Sequence, residues 1–356
     1  MADSGNVDIF IPYLKLLAPG TQLRIGLENI LFANTGGLIV LGNSSELTDI
    51  VSGGLEVNCD FSPARLYELS KMDGAIILNN DASRILAVNA QLDPDPALPS
   101  EETGIRHRTA ERVARQTGLL VIAVSQRRNI VTLYLKSYYY RLRTIDSILV
   151  KANQALQTLE KYRSVLSKEL QKFGSIEFED IVSVFEVSQI IHRGLRVLTI
   201  AQEIENYIIE LGIEGRLVKM QLEELLANIE KEILLIIKDY SQKEEAPQEI
   251  LKNLLKNPNK EIFDALSIAK ALNLASQNSH LEATVPARGH RMLNKVPRIP
   301  GNIIDNLVNN FMLLSNICDA SIEALDDVEG IGEVRARSIK QGLKRLQEQL
   351  SADITL

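Results

Sequence analysis

The sequence predicts an α/β domain with a mixed sheet, followed by an all-α region that ends in paired helical hairpins. Three observations predict it. Short apolar runs alternate with helical segments from about residue 38 to residue 134. After Tyr140 the apolar period lengthens from two to about three and a half residues. Near the C-terminus, glycine-bearing turns interrupt short helical stretches.

The 356 residues exceed the roughly 250 at which a single core stops growing, so more than one core is expected. A 45% hydrophobic and 24% charged composition describes an ordinary globular chain. The apolar run from Ile233 to Ile237 is far short of the roughly 20 residues that a membrane crossing needs. Met1-Ala2-Asp3-Ser4-Gly5 lacks the basic and apolar regions of a secretory signal, and a cytoplasmic location is expected. Cys59 and Cys318 fall in different expected domains, and His107, His192, His280 and His290 are scattered, so neither a disulfide nor a zinc site is expected. With a net charge of −7, any nucleic-acid contact must come from a local basic patch.

In chain order, strands are expected at 38–41, 75–78, 85–88, 119–124 and 130–134, with helices at 23–33, 63–71 and 110–116. Asn79-Asn80-Asp81 reads as a hairpin turn. Thr109 reads as the N-cap of the third helix and Gly118 as its stop. Residues 93–99, rich in proline and aspartate, form a loop leading into that helix. A long amphipathic helix then runs from Ile145 through Leu170 and Phe173 and stops at Gly174. Further helices are expected at 180–191, 198–211, 216–240 and 249–274, with a linker over 275–290. The charged faces around Glu223-Glu224 and Glu230-Lys231-Glu232 read as solvent faces. This divides the chain at residues 1–142, 143–286 and 287–356.

Two motifs carry chemistry. Arg106-His107-Arg108 offers several N–H donors suited to phosphate oxygens, and Asp73, at the head of Asp73-Gly74-Ala75, can hold a divalent metal or accept a proton. On residue types alone the triplet reads more readily as solvated surface and Asp-Gly as a turn. The second motif, Gly330-Ile331-Gly332, resembles a helix-hairpin-helix tip. Its bare N–H groups suit one DNA phosphate, and Ile331 would plug the gap between helices. Arg335, Arg337, Lys340, Lys344 and Arg345 follow on the next helix. Val296-Pro297-Arg298-Ile299-Pro300-Gly301 reads as a degenerate first hairpin, making the tail a tandem helix-hairpin-helix domain. The bland alternative is a plain helix–helix turn.

The order of these parts resembles the bacterial DNA-integrity scanning diadenylate cyclase (DisA) family along the whole chain. The resemblance implies an α/β cyclase domain with a mixed sheet, a helical spine and the hairpin tail. It implies condensation of two ATP into cyclic di-AMP and two pyrophosphates with Mg²⁺ or Mn²⁺, in an octamer whose cyclase domains face each other. Binding of branched or junction DNA by the tail, in a sequence-independent mode, is implied too.

Carried onto this chain, the catalytic positions are Asp73, Arg106, His107 and Arg108, with Asp73 at the metal. The nucleotide positions are Gly74, Ala75, Leu92, Ile105, Arg106, His107, Arg108, Thr109 and Ser125. The DNA positions are Gly330, Ile331, Gly332, Arg335, Arg337 and Lys340. Ile105 departs from the family, which has threonine before the triplet. That change leaves open a second reading, a DNA-binding scaffold whose cyclase domain binds nucleotide but turns over weakly.

Overall fold

The structure, a computed structural model, describes residues 7–256 and 264–354. Met1 to Gly5 and part of the helix expected over 249–274 lie outside the described residues. The chain divides into two compact units. The first comprises residues 1–153 and 205–219; the second comprises 154–204 and 220–356.

The first unit contains α1 (Val7–Leu16), α2 (Gln22–Phe32), β1 (Gly37–Leu41), α3 (Ser44–Leu47), β2 (Val51–Ser52), β3 (Leu55–Asp60) and α4 (Pro63–Leu69). β4 (Ala75–Leu78), β5 (Arg84–Leu92), α5 (Ile105–Thr117), β6 (Leu120–Ser125), β7 (Ile130–Leu135) and β8 (Tyr138–Arg141) follow. The eight strands form one sheet in the order β2-β5-β4-β1-β6-β7-β8, with β3 beside β2 along the same edge of β5. Only β1 and β4 pair in parallel; the other pairings are antiparallel. The expected mixed sheet is therefore present.

Its central pair β1 and β4 is apolar and buried at every position because both faces are covered. Ile39, Leu41, Ile76, Leu78 and Ile122 pack with Phe10, Leu23, Leu27 and Leu66 on one face. Leu38, Val40, Ile77 and Val121 pack with Leu47, Ala110 and Val113 on the other. The Asn79 turn closes β4 onto β5, its side-chain oxygen accepting from the Arg84 N–H at 2.9 Å. α1, α3, β2, β3 and β8 were not expected from the sequence pattern.

The helical part begins with α6 (Ile145–Phe178) and α7 (Val184–Leu211), followed by α8 (Arg216–Leu226), α9 (Ile229–Tyr240), α10 (Pro247–Leu255) and α11 (Ala265–Ala271). Two expected helices, 180–191 and 198–211, are one. Gly194, which lies in the expected gap, is a notch for α9: a Cβ there would lie 2.3 Å from Ile233 Cδ1. Gly174 likewise fails to stop α6, because it makes room for Met292 and Leu350. Conversely, the expected 216–240 helix breaks at Asn228, which takes a left-handed φ of 66°. The expected linker over 275–290 is packed structure. Thr284 bridges Ser183, and the Val285 N–H donates to the Val182 carbonyl at 2.8 Å.

The chain closes with α12 (His290–Lys295), α13 (Gly301–Phe311), α14 (Leu314–Asp319), α15 (Ile322–Asp326) and α16 (Glu333–Ile354). One apolar core runs through Phe173, Leu195, Ile237, Leu293, Ile304, Ile331 and Ile339, so helices on both sides of residue 286 share it.

Candidate functional site

The first unit carries a cleft of about 850 Å³, within the usual range for small-molecule sites. It lies where β1 and β4 begin and β5 and β6 end, so backbone from four central strands converges on it. Asp73, Gly74, Ala75, Leu92, Ile105, Arg106, His107, Thr109 and Ser125 all line it. Residues more than thirty positions apart in sequence thus meet because Ala75 pairs with Ala90 and Gly37 with Val124.

α5 starts at Ile105, five residues earlier than the sequence pattern predicts, with Gly104 as N-cap. Thr109 is thus inside the helix and caps nothing. Gly118 does end it, in the left-handed conformation. The consequence for the triplet is geometric. Successive helical residues turn by about 100°, so Arg106, His107 and Arg108 cannot act as one fork. Arg106 lines the cleft and His107 turns inward, 9% exposed. Arg108 is not among the lining residues; its guanidinium lies 3.4 Å from the Glu102 and Thr103 carbonyls. In exchange the first turn of α5 presents its backbone N–H groups, an anion-attracting feature that the sequence reading missed.

Two glycines shape the site. Gly74 has φ +87°, and a Cβ there would stand 2.8 Å from the Ala90 carbonyl oxygen. Its lack of a side chain is thus demanded by β5 before any ligand arrives. At Gly36 a Cβ would lie 1.9 Å from Arg106 Nη1, so the guanidinium rests against bare backbone.

His107 Nδ1 lies 2.9 Å from the Tyr134 hydroxyl, which donates to Glu102 Oε1 at 2.8 Å. Burial pushes the imidazole below its usual pKa; Glu102 opposes this, while Arg128 and Arg106 add to it. The ring is therefore biased toward its neutral form. Arg127 and Arg128, at the β6–β7 turn, also line the cleft, as do Gly53 and Gly54 between β2 and β3. The Gly-Gly pair was a visible turn signal; Tyr134 and Glu102 left none. Among the described residues no cluster of three or more metal-ligating side chains occurs. Asp73 is an exposed carboxylate in the cleft, which fits a Mg²⁺-type ion bound by one or two carboxylates together with phosphates.

In the second unit the turns after α12 and α15 share a valine, a positive-φ residue and an isoleucine at corresponding positions. Val296 and Val328 are each 3% exposed, and Arg298 and Gly330 occupy corresponding positions with φ of 65° and 82°. Ile331 is 7% exposed and fills the gap between helices, as its apolar side chain predicts. Gly332, unlike Gly330, has no positive φ, and its Cβ position faces open space. The basic helix is less free than its sequence implies. Lys340 Nζ donates to the Cys318 and Ala320 carbonyls at 2.7 and 2.6 Å, ending α14. Arg335 donates to the Gly330 carbonyl, and Arg337 pairs with Glu333.

Two family models match the chain: "DisA bacterial checkpoint controller nucleotide-binding" over residues 24–138 and "DisA bacterial checkpoint controller linker region" over residues 142–281. The DNA integrity scanning protein DisA of Carboxydothermus hydrogenoformans is 56% identical over 338 residues, covering 94% of this chain and 96% of that protein. The DisA of Bacillus mycoides is 53% identical over 346 residues, covering 97% of each. A crystal structure of a double mutant of DacA from Staphylococcus aureus is 19% identical, covers 40% of this chain and 91% of that one, and has a TM-score of 0.31.

Proposed function

The chain belongs to the DisA family of bacterial checkpoint controllers, and on that footing we propose that it is a diadenylate cyclase coupled to a DNA-binding tail. Its reaction joins two ATP into cyclic di-AMP and releases two diphosphates. The observation that supports this best is the convergence of Asp73, Arg106 and the α5 N-terminus on one cleft.

Each ribose 3′-hydroxyl attacks the α-phosphorus of the other ATP, so two clefts must face each other. That requirement fits an octamer with paired cyclase domains. Within one cleft, Arg106 and the first-turn N–H groups of α5 bind the triphosphate and stabilise charge on the departing diphosphate. Ser125 adds a hydroxyl at the phosphates, and Gly74, Ala75, Leu92, Ile105 and Thr109 shape the wall. Arg108, which sits at the cleft rim on the Glu102 and Thr103 carbonyls and outside the lining, is assigned to the partner's nucleotide. Asp73 is the residue to hold Mg²⁺ or Mn²⁺, an ion that neutralises phosphate charge when bound. The decisive assay is the full chain with ATP and Mn²⁺. Cyclic di-AMP is expected, and its formation falls in Asp73→Asn. ATP binding without product from either protein would replace this reading with the scaffold one. Ile105, 83% exposed at the cleft, is the observation that favours the scaffold.

For the tail, the proposed ligand is branched or junction DNA held by its phosphates. The N-terminus of α16 and the tip at Gly330, Ile331 and Gly332 are the contact, with Arg335 and Arg337 as local cations once released from their internal partners. Lys340 acts through the fold of the hairpin. Because Gly332 faces open space, Gly332→Glu places a carboxylate at the tip without disturbing it. Full-length Gly332→Glu is expected to bind junction DNA at least about tenfold more weakly, through repulsion and lost phosphate contact. Unchanged affinity would exclude this tip as the contact. The proposed location is the cytoplasm; among the described residues no helix is long and apolar enough to cross a membrane.

A further inference from the structure

Glu102, Tyr134 and His107 form a hydrogen-bonded chain that no step above uses. The Tyr134 hydroxyl is shared between Glu102 Oε1 at 2.8 Å and His107 Nδ1 at 2.9 Å. A phenol has one proton and an ionised carboxylate can only accept. Tyr134 therefore donates to Glu102, and Nδ1–H of His107 must donate to Tyr134. Tyr134 keeps its proton because burial, and after it Glu102, hold the phenol far above its usual range. The imidazole lone pair is left on Nε2, which is buried and has no hydrogen-bond partner.

A lone pair repels phosphate oxygens and calls for an O–H or N–H donor. On ATP the donors are the ribose hydroxyls and the adenine amino group. His107 follows Arg106 in the first turn of α5, where phosphates are drawn, and the ribose is the donor-bearing part bonded directly to them. We propose that Glu102 and Tyr134 are positioning residues that lock His107 in the Nδ1–H tautomer, so that Nε2 receives a ribose hydroxyl of the bound nucleotide rather than a phosphate oxygen. This rests on the reading of the cleft as an ATP site. It also assigns His107 a partner different from that of Arg106, although the two are adjacent in sequence.

The tautomer is read directly by ¹⁵N NMR of the full chain labelled at histidine, with the His107 signals assigned through His107→Gln. The expected result is a protonated Nδ1 and a bare Nε2. In Glu102→Ala the Tyr134 proton is released toward Nδ1, and the ring is expected to switch to the Nε2–H form. Tyr134→Phe, which keeps the ring packing, removes the Nδ1 acceptor and is expected to lose the preference. A parallel titration compares ATP with 2′-deoxy-ATP and 3′-deoxy-ATP. Wild type is expected to bind one of the two analogues roughly 3- to 10-fold more weakly than ATP, the weight of one hydrogen bond. Glu102→Ala is expected to lose that discrimination. An Nε2–H tautomer in wild type, or the same hydroxyl discrimination in both proteins, overturns the proposal. Failure of ATP itself to bind overturns the nucleotide reading and the ribose assignment with it, while the NMR result still decides the relay.

Discussion

Gly36 is where a single missing carbon decides the position of a functional group. A Cβ there meets the far end of the Arg106 side chain, which can swing away, so Gly36→Ala displaces the guanidinium rather than unfolding the domain. Its kcat/KM for cyclic di-AMP synthesis is expected to fall about 10- to 100-fold, the weight of a charge-assisted hydrogen bond of roughly 1.5–3 kcal/mol. Gly37→Ala, whose Cβ would have no neighbour closer than 3.7 Å, is expected to stay near wild type in the same assay. Glu111 provides a pH test. Burial alone would raise its carboxyl, but hydrogen bonds from Ser100 and Arg115 outweigh that and hold it below the usual carboxylate range. A depressed folded value means that the unfolded chain takes up the proton first. The stabilisation is present above the unfolded pKa of about 4.5 and is lost as pH falls through the folded value. In denaturant titrations between about pH 5 and pH 3, wild type should lose more stability than Glu111→Gln. Asp73-Gly74 and the triplet were visible as residues. That they share a cleft, and that His107 answers to Glu102 through Tyr134, depends on pairings between distant strands.

Among the elements, α12 shows how a short helix is held. Asp239 accepts from the Gly289, His290 and Arg291 N–H groups at 2.9, 2.7 and 2.8 Å, so one carboxylate from α9 satisfies three N–H groups at its start. Arg291 is then fully buried against Glu177 of α6. Breaking such a pair leaves a buried charge, so Arg291→Met is expected to cost about 3–5 kcal/mol in urea denaturation. The double variant Glu177→Leu with Arg291→Met removes both charges and should recover most of that loss. Helix periodicity was legible in the sequence over long stretches, yet helix ends were not. Gly174 and Gly194 have a breaker's identity, but each is where another element presses closest. Thr109 has an N-cap's identity inside α5, because the preceding loop lets Gly104 start the helix earlier.

For the whole molecule, the shared core of the second unit bears on how the tail can be tested. Removing residues 287–356 strips Met292, Leu293, Ile304, Ile331 and Ile339 from Phe173, Leu195 and Ile237. Such a truncation is expected to lower the thermal midpoint of the helical unit, read by circular dichroism, as well as to abolish any DNA binding. Lys340→Ala should likewise destabilise the tail more than it alters the salt dependence of DNA binding, because its donors serve α14. By itself the sequence determined the α/β-then-helical order, the mixed sheet and the residue types able to handle phosphate, since these follow from local period, turn chemistry and side-chain donors. Only the tertiary structure decided which of those residues act together. On α5 it set Arg106 in the cleft lining and left Arg108 outside it, and it set His107 against Tyr134. Facing direction is fixed by helix start and strand register, which the packing of distant segments selects.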